Sequence, residues 1–471
     1  MPYTTIDKSS DHFQTETWSS QDTSIDTINF APDWVWIKSR TNADTQILFD
    51  SVRGANKRLS SSGNTGESTT SDELTAFNSD GYTLGTGSNV NRSGHDYVSW
   101  NWLAGGTAPA ITYSVKVVSD SGNKYRFDDF GTSAVTLDLQ EGGTYTFDQS
   151  DSSNSGHPLR FSTTSDGSHG GGSEYTTGVT TTGTPGSAGA KTVITVGSGV
   201  ATLYYYCTQH SGMGGQANTN STHGSSNFSG SIQSTVSANI TAGFSVVKYD
   251  GNNNGTTTTI GHGLNGVLDA YIVKSLDSVG NWQTYHHKMS SDPKTDYIQL
   301  DSTGGVSDYT FWGDTAPTSS VFTVKDGNDV NENGEEFISY CFKGIKGYSK
   351  FGKFTANGND SNAYVFCGFT PRWVMIKPLV SDGWSNWYIF DTKRDHPQLN
   401  ENPLFANLNT RENYYGGSPA SNYDQIDILS NGFKVRRDGN WGVGGNGQES
   451  IFFAFAEFPF VSSTGIPACA K

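Results

Sequence analysis

Trp34-Val35-Trp36-Ile37-Lys38 decides the reading of this chain, because the pattern occurs three times. Ala270-Tyr271-Ile272-Val273-Lys274 and Trp373-Val374-Met375-Ile376-Lys377 have the same build, an apolar strand-forming run closed by lysine. The residues that follow are shared too. A second strand reads Ile47-Leu48-Phe49-Asp50 in the first copy and Tyr388-Ile389-Phe390-Asp391 in the third, with a degenerate Trp282-Gln283-Thr284-Tyr285-His286 in the second. A turn then leads to an alternating strand at Gly81-Tyr82-Thr83-Leu84, Val321-Phe322-Thr323-Val324 and Gly432-Phe433-Lys434-Val435. Each copy ends on an aromatic run, Tyr97-Val98-Ser99-Trp100-Asn101-Trp102, Phe337-Ile338-Ser339-Tyr340-Cys341-Phe342 or Ile451-Phe452-Phe453-Ala454-Phe455-Ala456. The repetition predicts three β-rich modules, and the alternation predicts strands with one face in a core and the other towards solvent.

The opening lysines of copies two and three are 103 residues apart, but those of copies one and two are 236 apart. The excess is about one domain, so a different unit is inserted there. Its entry is Gly105-Gly106-Thr107-Ala108-Pro109, and it leaves through a Gly/Ser/Asn-rich stretch. The expected domains are therefore 1–106, 107–227, 228–358 and 359–471, with a lead-in strand pair for the second module between Gly230 and Gly255. A length of 471 residues agrees with several cores. Abundant Gly, Thr, Ser and Asn, with 22 Tyr, 26 Phe and no long helical periodicity, make the chain all-β: several β-sandwich modules with an inserted sandwich.

A net charge of −16 argues against nucleic acid, whose phosphates demand clustered Lys and Arg, and against an anionic membrane surface. No apolar run approaches the roughly 20 residues that cross a bilayer. Met1-Pro2-Tyr3-Thr4-Thr5-Ile6-Asp7 has no secretory pattern, and four scattered cysteines make no disulfide framework, so synthesis in a reducing cytoplasm is expected.

Within the insertion, Tyr204-Tyr205-Tyr206-Cys207-Thr208-Gln209-His210-Ser211-Gly212-Met213-Gly214-Gly215 carries the strongest chemical signal. A thiolate and an imidazole two residues apart can straddle one metal across a tight turn, and a thioether three residues on can reach it axially. Two imidazoles with soft sulfur ligands select copper for electron transfer. The second imidazole is expected from Gly156-His157-Pro158-Leu159, about 50 residues upstream. This layout resembles the cupredoxin family over residues 111 to 218, and its short Cys-x-x-His-x-x-Met loop is most like that of the amicyanins. The resemblance implies a Greek-key β-sandwich with His157 and His210 as imidazole ligands, Cys207 as the thiolate and Met213 as the weak axial ligand of a single type-1-like copper. Pro158 departs from the pattern, standing where many blue-copper proteins have an asparagine that braces the cysteine loop.

Two other patterns fall short. Asp329-Val330-Asn331-Glu332-Asn333-Gly334 and Asp250-Gly251-Asn252-Asn253-Asn254-Gly255 begin like calcium loops, but Tyr340 and Gly261 stand where the bidentate Glu belongs, so turns without calcium are expected. His286-His287 reads as an exposed pair, since adjacent strand residues point to opposite faces. No nucleophile elbow, phosphate-cradling loop or His-Glu-x-x-His is present, and the expectation is a protein that is not an enzyme.

Outside the insertion, phrases such as Ser231-Ile232-Gln233-Ser234-Thr235-Val236, Phe311-Trp312-Gly313-Asp314-Thr315-Ala316-Pro317, Gly347-Tyr348-Ser349-Lys350-Phe351-Gly352 and Ala456-Glu457-Phe458-Pro459-Phe460-Val461 resemble a β-rich family widespread among structural proteins of marine and cyanobacterial tailed phages. The resemblance implies a virion component made in the host bacterial cytoplasm. Its expected role is a tail or head fibre or surface protein for host adhesion, working with other virion proteins and with copies of itself in a homo-oligomer such as a trimer. The alternatives are a capsid or tail decoration subunit with no receptor role, and a copper-binding electron-transfer protein. Tyr414-Tyr415 could stack on a host surface glycan or pack between domains or subunits.

Overall fold

The computed structural model describes residues 4–466 except 21, 254, 326, 360, 396–401, 413, 416–417, 420–425 and 437–441. Strands dominate it, and among the described residues the one α-helix is the four-residue Ser88–Asn91. Each repeat contributes the same four antiparallel strands in the same order, alone in the first sheet and within larger sheets in the second and third. In the first, the closing strand Asp96–Trp102 lies between a lead-in strand, Phe13–Ser19, and the opening strand Trp34–Ser39, which pairs in turn with Ile47–Asp50. The second repeat uses Phe244–Asp250, Glu336–Phe342, Ala270–Ser275 and Gln283–His286 in that order, and the third uses Ser349–Thr355, Glu449–Pro459, Phe369–Pro378 and Tyr388–Asp391. The alternating strands Gly81–Leu84, Val321–Val324 and Gly432–Val435 belong to separate small sheets.

Two domain limits shift. Ser349–Thr355 lies within 228–358 by sequence, yet it is an edge strand of the third repeat's sheet. Ser225–Asn227, at the end of the insertion, pairs with Ser234–Asn239 and so extends the second repeat's sheet. Backbone pairing sets both limits, and neither leaves a mark on side-chain periodicity.

The expected solvent face of the opening strands does not exist. Trp34, Val35, Trp36 and Ile37 are all buried. Val35 and Ile37 point into a core shared with Tyr82 and Leu84, whereas Trp34 and Trp36 point into a second core shared with the other two repeats. Trp102, Phe342 and Phe455 hold equivalent places, opposite Trp34, Ala270 and Trp373 respectively. Phe455 lies 5.7 Å from Trp102 and 6.2 Å from Phe342, ring centre to ring centre, so the three repeats meet on one aromatic centre.

The seams between repeats are also equivalent. Trp282 Nε1 donates to the Ser60 carbonyl, Trp387 Nε1 to that of Gln299, and Gln46 Nε2 to that of Phe405, so each donor reaches into another repeat. At the same seams Glu67 N–H donates to Leu276, Val306 to Leu379, and Glu412 to Arg40. Repeat two thus holds repeat one, repeat three holds repeat two, and repeat one holds repeat three. A single chain closes a pseudo-threefold ring.

The insertion is a separate sandwich of two five-stranded mixed sheets around its own core. Asp33, buried in the first repeat, anchors both of its linkers. Its carboxylate accepts from Ala104 N at 2.8 Å and Gly106 N at 3.1 Å on the way in, and meets His223 Nδ1 at 2.6 Å on the way out.

Candidate metal centre

His157 ends a loop after the short 3-10 turn Ser152–Asn154, while Cys207 ends the strand Leu203–Cys207 and starts the loop that carries His210 and Met213. Pairing of Leu159 with Cys207 sets these two loops side by side. Cys207 Sγ lies 3.8 Å from His157 Nδ1 and 3.7 Å from His210 Nδ1, and all three ligand atoms fall within 4.8 Å of one another. Three of the four expected ligands are therefore gathered by their donor atoms. Met213 is buried in the same core cluster as Cys207 at the far end of the loop.

The spacing fits one ion. Bonds of about 2.3 Å to sulfur and about 2.0 Å to nitrogen, opened to about 120°, put S and N about 3.7 Å apart; a tetrahedral angle puts them about 3.5 Å apart. The observed 3.7 and 3.8 Å are of the size that two ligand atoms on one ion require, and a His₂Cys donor set is one that suits copper. Cys207 is buried, His157 half-buried and His210 exposed, so the centre sits just beneath the surface with one imidazole edge in solvent. Burial, then the neighbouring His210, hold the His157 imidazole below its ordinary range. That favours the neutral ring, which has a lone pair to give.

The supporting shell was not legible beforehand. The His157 carbonyl accepts from Tyr125 Oη and from Gln149 Nε2, each at 2.9 Å. Burial and the nearby Cys207 sulfur both push the Tyr125 hydroxyl up. His169 Nε2 lies 3.0 Å from the Cys207 carbonyl, and Asp166 accepts from Ser211 Oγ and Gly212 N on the ligand loop. Gly167, at φ +54°, lets this segment approach, because a Cβ there would lie 2.4 Å from the Tyr206 ring. At Pro158 the brace is backbone: Thr208 N–H donates to the Pro158 carbonyl at 3.2 Å. The sole sequence signal for this shell was the glycine run around His169.

The remaining candidates have other employment. Asp329 accepts from Asn281 N at 3.1 Å and from Gln283 Nε2 at 2.6 Å. The exposed histidine pair is a correction: His286 is fully buried with its ring 5.3 Å from Phe453 of the third repeat, and His287 pairs with Asp269 at 2.9 Å. Ring closure covers the face that a lone module would leave open. Asn254 and the side chains of Tyr414 and Tyr415 lie outside the described residues.

Fold and site together define an all-β protein with a pseudo-threefold body and one His–Cys–His cluster in an inserted sandwich. The chain matches the family described as a domain of unknown function (DUF7483) over residues 8–128 and 217–459, and it belongs to that family. The unmatched interval, 129–216, holds all four expected ligands. No curated protein and no solved structure matches the chain.

Proposed function

We propose that this protein is a structural component of a tailed-phage virion, a fibre or surface part that adheres to the host. The observation that carries this reading is the ring, in which every repeat is held to the next by one side-chain and one backbone hydrogen bond at equivalent positions. Such a body is a rigid scaffold, the property a particle's outer part needs, and the resemblance of its repeats to phage structural proteins points the same way. Further copies of the chain and other virion proteins would engage its outer surface. Antibody labelling of intact particles by electron microscopy tests the location, and binding of purified protein to host cells tests the adhesion. Absence from particles overturns the reading, and presence without cell binding favours a decoration subunit.

The sulfur–nitrogen distances favour a second reading, that the insertion holds one copper ion through His157, Cys207, His210 and Met213. Bound copper would supply a one-electron redox couple. The chain's own residues would fix the ligand geometry, bury the thiolate and leave the His210 edge as the route to a partner. Elemental analysis of copper-treated protein tests it.

A further inference from the structure

The three seams of the ring are equivalent in backbone but not in side chains. Two are filled by an indole, Trp282 or Trp387; the third, between repeats one and three, has the smaller Gln46 in that place. A groove of about 450 Å³ lies between the first and third repeats, lined by residues of 58–68 and of 407–409, within the size range of small-molecule sites. Its lining includes the neutral polar residues Thr45, Ser62, Thr65 and Asn409 together with the apolar Leu59 and Leu408. Its one cation, Arg58, is paired with Glu73 at 3.0 Å and donates from Nε to Ser68 at 3.2 Å.

We infer that this groove is a binding site for a neutral saccharide. Hydroxyl and amide donors and acceptors beside aliphatic patches match the alternating hydroxyl and C–H edges of a sugar ring. Pairing of Arg58 with Glu73 leaves the lining little net positive charge to recruit an anion. The site deepens the adhesive reading above and rests on it for biological meaning, but its chemistry is tested separately.

Gly63 lines the groove, and a Cβ there would meet nothing closer than the Ser60 hydroxyl at 3.9 Å. Gly63→Trp should therefore fill the groove while leaving the Gly63 carbonyl free to accept from Trp282. The experiment is saturation-transfer NMR of the full chain with glucose, galactose, N-acetylglucosamine, maltose and lactose. The expected result is transfer to at least one sugar, lost in Gly63→Trp and weakened about threefold to tenfold in Asn409→Ala and in Thr65→Ala, each removing one hydrogen-bonding group. Transfer to none, or transfer unchanged in Asn409→Ala and Thr65→Ala, overturns the inference even if Gly63→Trp does not fold. Host-cell binding that persists with no sugar transfer would sink the groove while sparing the adhesive role.

Discussion

The indole Nε1 of Trp282 in the second repeat lies 2.8 Å from the carbonyl oxygen of Ser60 in the first, and 3.1 Å from that of Gly63. Its counterpart Trp387 makes the same contact with Gln299, also at 2.8 Å. Replacing either by Phe keeps most of the apolar volume but strands a carbonyl. Each of Trp282→Phe and Trp387→Phe should cost about 1–3 kcal/mol in equilibrium urea unfolding. Changes near zero in both would mean that the seams are held by packing alone.

Asp50 and Asp391 make matching buried ion pairs, each 2.5 Å from the Nε of the arginine three residues on. Each also takes a hydrogen bond from an aromatic residue of another repeat, Tyr340 to Asp50 at 2.8 Å and Trp100 to Asp391 at 3.0 Å. Asp50→Asn or Asp391→Asn removes the buried counter-charge and leaves each guanidinium only its second carboxylate, Glu67 at 3.3 Å from Arg53 or Glu412 at 2.8 Å from Arg394. The expected loss is about 1.5–3 kcal/mol for each, read from the denaturation midpoint.

Lys38, Lys274 and Lys377, the strand-closing lysines of the repeats, are fully buried. Their ammonium groups are held by backbone carbonyls: Ser39 and Asn42, Ser275 and Ser278, Ser385 and Ser302. Burial pulls them down to about 7, about 8 and about 7. Between these values and about 10.4, the unfolded chain binds more protons than the folded one, so this contribution to stability rises with pH across that window. Buried Tyr249, Tyr271 and Tyr340, pushed well up by burial, reverse the sign above about pH 10. Urea midpoints from pH 7 to 9.5 should climb, and the climb should flatten in Lys38→Met and Lys377→Met.

Copper(II) added to the protein should produce an intense visible charge-transfer band that Cys207→Ser abolishes. Met213→Leu should keep the band and shift the reduction potential, since an axial thioether tunes the couple without forming the strong bonds. A colourless protein free of metal would reduce the insertion to scaffold.

Asp33 joins the insertion to the ring through three partners on its two linkers. Asp33→Ala should leave those groups unpaired and accelerate proteolysis between residues 104 and 110 by roughly tenfold, about 1.4 kcal/mol of local opening. Unchanged cleavage would show that the sandwich is seated by its other contacts, such as Thr235 to Asp138 at 2.7 Å.

Local periodicity and spacing were enough to read the all-β class, the three repeats, the inserted unit and the spacing of His157, Cys207, His210 and Met213. Each of these depends on residues near one another in the chain, where alternation and turn chemistry act directly. Tertiary structure alone decided that the repeats close into a ring, that both faces of Trp34–Ser39 are buried, and that Ser349–Thr355 joins the third sheet. It also decided that His169 and Tyr125 brace the ligands, and that Gln46 stands at one seam where the other two have an indole. Those outcomes rest on hydrogen bonds between residues as far apart as Gln46 and Phe405, whose donors and acceptors carry no local pattern.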